Sequence, residues 1–185
     1  MSAVTARSPQ VVLIGPPGSG KSTVGRLLAQ RLGCGFADAD ADIEAKEGRK
    51  IPDIFTEDGE PYFREVEERI IAEGLVRHDG VFSLGGGAVL SAATRKHLAG
   101  HTVVFLTVGL TVGMRRTGLS TARPLLAGVN PRATFKALLD ERMPLYREVS
   151  TIEVATDERI QDEVVDEILV AYAREVDRGA AGHRG

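Results

Sequence analysis

Tryptophan is absent, and aromatic residues make up only 5% of the 185 residues. Base stacking on aromatic platforms, a common grip on single-stranded nucleic acid, is therefore poorly supplied. Nor is there a basic surplus: 23 lysines and arginines face 26 acidic residues, for a formal net charge of −3, whereas nucleic-acid-binding domains carry basic patches. The single cysteine, Cys34, excludes an intrachain disulfide and any multi-cysteine zinc site, and it fits a reducing cytoplasm. No apolar run is long enough to span a bilayer. The most apolar stretch, residues 103–112, is short and broken by threonine, and residues 1–10 lack the apolar core of a signal peptide. Neither a nucleic acid nor a membrane is expected as a partner. The four histidines, His78, His97, His101 and His183, are scattered without metal-ligand spacing and read as surface residues.

What is present reads as one ordinary globular domain, with 43% hydrophobic and 26% charged residues. Val11-Val12-Leu13-Ile14 is a continuous apolar run closed by glycine and proline, which suits a strand buried on both faces. Similar runs at residues 81–84, 103–106 and 152–155, with a shorter candidate at 35–37, predict further strands. Helical spacing separates them: Val24, Leu27, Leu28 and Leu32; Phe63, Val66, Ile70 and Ile71; a short helix after Ser91; Phe135, Leu138 and Leu139 after an Asn130-Pro131 start; and Ile160, Val164, Ile168 and Tyr172. Alternating strands and helices predict an α/β sandwich, a mostly parallel sheet with helices on both faces. Residues 1–9 and 178–185, rich in Gly, Ala and Arg, are expected to fray, leaving one domain over 10–177.

The chemistry concentrates in a few segments. Gly15-Pro16-Pro17-Gly18-Ser19-Gly20-Lys21-Ser22 satisfies G-x-x-x-x-G-K-S between a strand and a helix, the context a phosphate-binding P-loop requires. In that motif backbone N–H groups around Gly18, Ser19 and Gly20 converge on phosphate oxygens, Lys21 supplies a mobile cation, and the hydroxyl of Ser22 is a ligand for Mg²⁺, with Thr23 beside it. Asp38-Ala39-Asp40-Ala41-Asp42 follows a strand, so its acids should face the P-loop at the carboxyl edge of the sheet. One can hold hydrated Mg²⁺ and another can accept a hydroxyl proton, although acids also suit a helix first turn. Gly85, Gly86 and Gly87 end another strand and expose backbone donors at the same edge. Arg64 lies on a helix whose other face is apolar and, by itself, reads as half of a solvated ion pair with a nearby glutamate. Residues 115–126 are basic and turn-rich, with no helix or strand pattern until Asn130, which predicts a lid at about 117–130. Arg142 follows on the next helix, in Arg142-Met143-Pro144-Leu145-Tyr146.

From about residue 11 to 173 these motifs together resemble the shikimate kinase family: the P-loop, the Asp38/Asp40 pair, Phe63-Arg64 with the three glycines, and Arg123-Pro124-Leu125-Leu126 with Arg142-Met143-Pro144-Leu145-Tyr146. The resemblance implies a nucleoside-monophosphate-kinase-like three-layer sandwich with a five-stranded parallel sheet, and transfer of the γ-phosphoryl group of ATP to the 3-hydroxyl of shikimate. It implies Arg64 and Arg142 on the substrate carboxylate, Asp40 on the ring hydroxyls, and the backbone of residues 85–87 around the ring. It further implies Asp38 on Mg²⁺ through water, Arg123 from the lid on the γ-phosphate, Arg116 beside the adenine, and a monomer. Lys21, Asp40 and Arg123 are then the catalytic candidates. Two features depart from the family pattern: Asp42 adds a third acid, and residues 156–161 lack a proline on the adenine side. Competing readings are a gluconate-type or nucleoside-monophosphate kinase and an ATP-driven switch. A phosphorylated acceptor would call for more cations than Arg64 and Arg142 supply, and the absence of Asn-Lys-x-Asp counts against a guanine-specific switch.

Overall fold

Strand β1 (Val11–Ile14) is buried at all four residues because it lies at the centre of the sheet, with β3 (Val81–Ser83) on one side and β4 (Val103–Thr107) on the other. The computed structural model, which describes residues 8–118 and 130–182, has five strands in the order β2-β3-β1-β4-β5, with β2 at Phe36–Asp38 and β5 at Ile152–Ala155. Every pairing is parallel; Val12, for example, lies opposite Phe82 on one side and Val103 on the other. Parallel strands need crossovers, and these cover both faces of the sheet. On one face Leu13, Val104 and Leu106 pack with Val24 and Leu28 of helix α1 (Lys21–Leu32) and Val164 and Ile168 of α8 (Gln161–Gly182). On the other, Val12, Ile14 and Phe105 pack with Ile71 and Leu75 of α4 (Gly59–Arg77) and Tyr146 of α7 (Pro131–Val149). This is the three-layer arrangement expected from the alternation of elements.

A third, smaller cluster of Ile43, Ile54, Phe63, Val66 and Ile70 joins α2 (Ala39–Glu47), α3 (Ile51–Glu57) and α4 beyond the sheet. Helix α3 was not anticipated, although Pro52 in its first turn is a start signal. After a single 3₁₀ turn at Ala88–Leu90 and α5 (Ala92–His97), the chain enters β4. Helix α6 (Leu110–Thr117) corrects the reading of residues 115–117 as loop: Arg115, Arg116 and Thr117 form its last turn. The helix buries only Gly113 and Thr117, so it displays no apolar stripe to read. At the carboxyl end α8 continues to Gly182, beyond the boundary expected at residue 177.

With all strands parallel, the carboxyl ends of β1 to β5 open onto one edge. The order reverses direction around β1, producing the crevice where ligands bind in open α/β sheets.

Candidate active site

That edge holds a cavity of about 990 Å³. One end is the P-loop, and its shape follows from local sterics. Gly18 and Gly20 have φ of 79° and 86°, and a Cβ on Gly18 would sit 2.6 Å from the carbonyl oxygen of Gly113 in α6. Lys21 opens α1 and folds its Nζ back to donate to the carbonyls of Gly15 at 2.7 Å and Pro16 at 3.1 Å. Ser19 is fully buried, with no hydrogen-bond partner for its Oγ among the described residues. A cradle of backbone N–H groups at a helix N-terminus with an adjacent ammonium fits a polyphosphate.

Beside the cradle, Ser22 Oγ donates to Asp38 Oδ2 at 3.1 Å. The other carboxylate oxygen, Oδ1, accepts from the Asp40 amide at 2.9 Å, making Asp38 the N-cap of α2. Capping and facing the P-loop are thus compatible roles for one carboxylate. Asp40 and Asp42, two positions apart, fall on opposite sides of the helix. Asp40 lines the cavity. Asp42 instead pairs with Arg77 at 2.7 Å and His78 at 2.8 Å, which explains the third acid without assigning it to the site. Among the described residues no group of three or more His, Cys, Asp or Glu side chains could by itself hold a metal. A hydroxyl and one carboxylate suit a Mg²⁺-like ion that keeps waters and takes its other ligands from phosphate.

Another part of the cavity wall is cationic. Arg64, on α4, donates through one terminal nitrogen to Glu67 at 2.7 Å and through the other to Glu60 at 3.0 Å. Glu67 is only 3% exposed. Burial raises its carboxyl pKa above the ordinary value, against the pull of Arg64 and Arg142. Burial works against the Arg64 charge too, but Glu67 and Glu60 more than offset it and its pKa is raised. Arg142, on α7, is 5% exposed and lines the same cavity, and among the described residues its Nε has no hydrogen-bond partner. One turn on, buried Tyr146 donates its hydroxyl to the Gly86 carbonyl and stacks on Phe105 at 4.9 Å, fixing the glycine loop from beneath. The glycines are required for space. A Cβ on Gly85 would approach Asp40 Oδ1 and Glu67 Oε1 at 2.8 Å, and one on Gly87 would strike the Arg64 guanidinium at 2.3 Å.

Arg116 borders the P-loop end. It donates to Thr156 Oγ1 at 2.9 Å, to the Thr156 carbonyl at 2.7 Å and to the Gly18 carbonyl at 3.4 Å. Of the residues singled out from sequence, Gly18, Ser19, Gly20, Lys21, Ser22, Thr23, Asp38, Asp40, Arg64, Gly85, Gly86, Gly87, Arg116 and Arg142 therefore surround one cavity. Arg123 and most of the expected lid lie outside the described residues. Sequence reasoning missed the roles of Glu67 and Tyr146. Glu67 shares its helix face with Phe63, Ile70 and Ile71, and a carboxylate on an apolar face is the signal that could have found it.

A P-loop, an acid pair and a cationic recess on the carboxyl edge of a sheet in this order define a P-loop kinase of the nucleoside-monophosphate-kinase-like type. The sequence model of the shikimate kinase family matches residues 17–173. A shikimate kinase of Saccharopolyspora erythraea is 65% identical over 162 residues, covering 88% of this chain and 93% of that one. The solved shikimate kinase of Acinetobacter baumannii, in complex with shikimate, superposes with a TM-score of 0.84 at 38% identity, over 88% of this chain and 91% of the other. A gluconokinase of Sinorhizobium meliloti shares the fold, with a TM-score of 0.63 at 23% identity over 95% and 97% of the two chains. The chain belongs to the shikimate kinase family, which makes it an ATP-dependent kinase working with a divalent metal.

Proposed function

We propose that the chain transfers the γ-phosphoryl group of ATP to the 3-hydroxyl of shikimate, giving shikimate 3-phosphate and ADP, with Mg²⁺ as the metal. The observation that carries the acceptor assignment is Arg142: a guanidinium 5% exposed, lining the cavity, with a buried Nε that lacks an acceptor among the described residues. A buried donor without a partner costs about 1–3 kcal/mol. A carboxylate accepting from Arg142 and Arg64 relieves that cost, and the planar forks match its geometry. Shikimate carries one carboxylate and three hydroxyls, so the same recess needs a hydroxyl acceptor and backbone donors. Asp40 and residues 85–87 supply them.

In this reading the N–H groups of Gly18, Ser19 and Gly20, with Lys21 and Thr23, hold the phosphates, and Arg116 lies by the adenine. Lys21 leaves its two carbonyl partners for phosphate oxygens, a favourable exchange because anionic acceptors bind an ammonium more strongly. Ser22 and Asp38 hold hydrated Mg²⁺, which neutralises phosphate charge. Asp40 accepts from the attacking hydroxyl and orients its oxygen toward the γ-phosphorus. The new P–O bond forms as the bond to the ADP oxygen breaks, and the hydroxyl proton leaves by way of Asp40 to solvent. Phosphoryl transfer needs mainly positioning and charge neutralisation, so Asp40 acts first by orientation. Arg123, from the segment at about 117–130, adds charge to the γ-phosphate and helps exclude water. The proposal includes a single domain from residue 10 through α8, acting as a monomer in the cytoplasm.

The test is ADP release with Mg-ATP and a panel of shikimate, quinate, gluconate and AMP. Shikimate should be the turned-over acceptor. Turnover with AMP and none with shikimate would overturn the assignment.

A further inference from the structure

The loop between β5 and α8 grips α6 at both ends. Thr156 is first fixed to the sheet, where its amide and Oγ1 donate to the Thr107 carbonyl at 3.1 and 2.9 Å. From the last turn of α6, Arg116 then holds Thr156 through its hydroxyl and carbonyl oxygens. At the other end, both carboxylate oxygens of Asp157 accept from the Gly109 amide, at 3.1 and 3.0 Å. Gly109 is the N-cap of α6, so the carboxylate also faces the positive end of that helix. The next residue, Glu158, has φ 53° and is the single non-glycine residue with positive φ among those described. A side chain stays in that conformation when its surroundings over-determine it.

Helix α6 is in turn packed on the P-loop. Gly18 abuts the Gly113 carbonyl, and Arg116 reaches the Gly18 carbonyl. The β5–α8 loop, α6 and the phosphate loop therefore form one connected unit at the P-loop side of the cavity.

We infer that Asp157 is a positioning residue for the nucleotide: through the Gly109 amide it holds α6, and with it Arg116 and Gly18, in the arrangement that receives ATP. Asp157 itself acts through these groups and need not touch the nucleotide. This rests on the kinase reading above, in which the P-loop end takes ATP and the arginine recess takes the acid. Loss of the tether should act first on the P-loop end of the cavity, where Arg116 and Gly18 lie.

The test uses the full chain, with MgADP binding by calorimetry and initial rates against ATP and shikimate. Asp157→Ala should weaken MgADP binding and raise the ATP KM by about three- to tenfold, with the shikimate KM within about twofold of wild type. Asp157→Asn, whose amide oxygen still accepts from Gly109, should recover most of that loss. Gly109→Pro removes the same hydrogen bond from the donor side at a φ of −72° that proline adopts, and it should reproduce the alanine result. Thermal unfolding of each variant checks that it is folded. MgADP affinity unchanged in both Asp157→Ala and Gly109→Pro would overturn the inference, as would a shikimate KM that rises in step with the ATP KM. Because MgADP binding is read directly, the tether is tested even if shikimate proves not to be the acceptor.

Discussion

Gly87→Ala probes the proposed acceptor site apart from the rest of the fold. The backbone at Gly87 has φ −97° and ψ −2°, which alanine adopts without strain. The added methyl would lie 2.3 Å from one terminal nitrogen of Arg64 and 2.5 Å from the other. Ordinary contact needs about 3.5 Å, so the guanidinium must retreat by roughly 1 Å. Its bond to Glu67 measures 2.7 Å, and a hydrogen bond stretched by that much falls outside bonding range. Arg64 is a flexible side chain, so it can give way, at a stability cost of about 1–3 kcal/mol for the buried Glu67 carboxylate left without its donor. The ligand has no such latitude. Losing one charge-assisted hydrogen bond to the substrate carboxylate costs about 1.5–3 kcal/mol, which is about 10- to 150-fold in affinity. With Arg142 still in place the lower part of that range is expected. The assay is steady-state ADP release with each substrate varied in turn, and Gly35→Ala, where a Cβ meets nothing within 4 Å, is the control. A shikimate KM within about twofold of wild type, or an ATP KM that rises equally, would refute the reasoning.

Three further substitutions probe the two ends of the cavity. Lys21→Met should nearly abolish turnover, and a rate above about a tenth of wild type would contradict its phosphate role. Arg142→Lys should raise the shikimate KM more than the ATP KM, because an ammonium cannot reproduce the planar fork; the reverse order would move Arg142 to the nucleotide side. Glu67→Gln should change the pH dependence of stability. A buried carboxyl with raised pKa contributes stability below its unfolded value of about 4.3 that is lost as pH rises through its folded value. Glutamine lacks that titration, so the Tm difference should shift in favour of the variant as pH rises from about 4 through that window. A Tm difference independent of pH would contradict the burial argument.

The strands were legible because the sheet is parallel and covered on both faces, so β1 and β4 appear as unbroken apolar runs. The P-loop was legible because its chemistry is contiguous in sequence. What failed to show depends on contacts between distant segments. Helix α6 owes its place to Gly113 packing against Gly18 and Phe135, and to tethers from Thr156 and Asp157, none of which leaves a periodic pattern in its own eight residues. Arg64 presents the same difficulty. By spacing alone its ion pairs with Glu60 and Glu67 are those of an exposed helix, where each is worth about 0.3–0.5 kcal/mol.

What changes the meaning of Arg64 is the absence of a side chain elsewhere. The three glycines were read as sources of backbone donors, yet at Gly87 the conformation is ordinary and the missing Cβ makes room for a guanidinium. That contact, with Glu67 buried behind it and Arg142 on the same cavity, turns a surface arginine into part of a recess whose charge is already oriented before any acid arrives. Preorganisation of this kind saves the cost of ordering a long side chain on binding, about 0.5–1.5 kcal/mol for each one immobilised. The two arginines stand on α4 and α7, helices anchored to the sheet through Ile71, Leu75 and Tyr146.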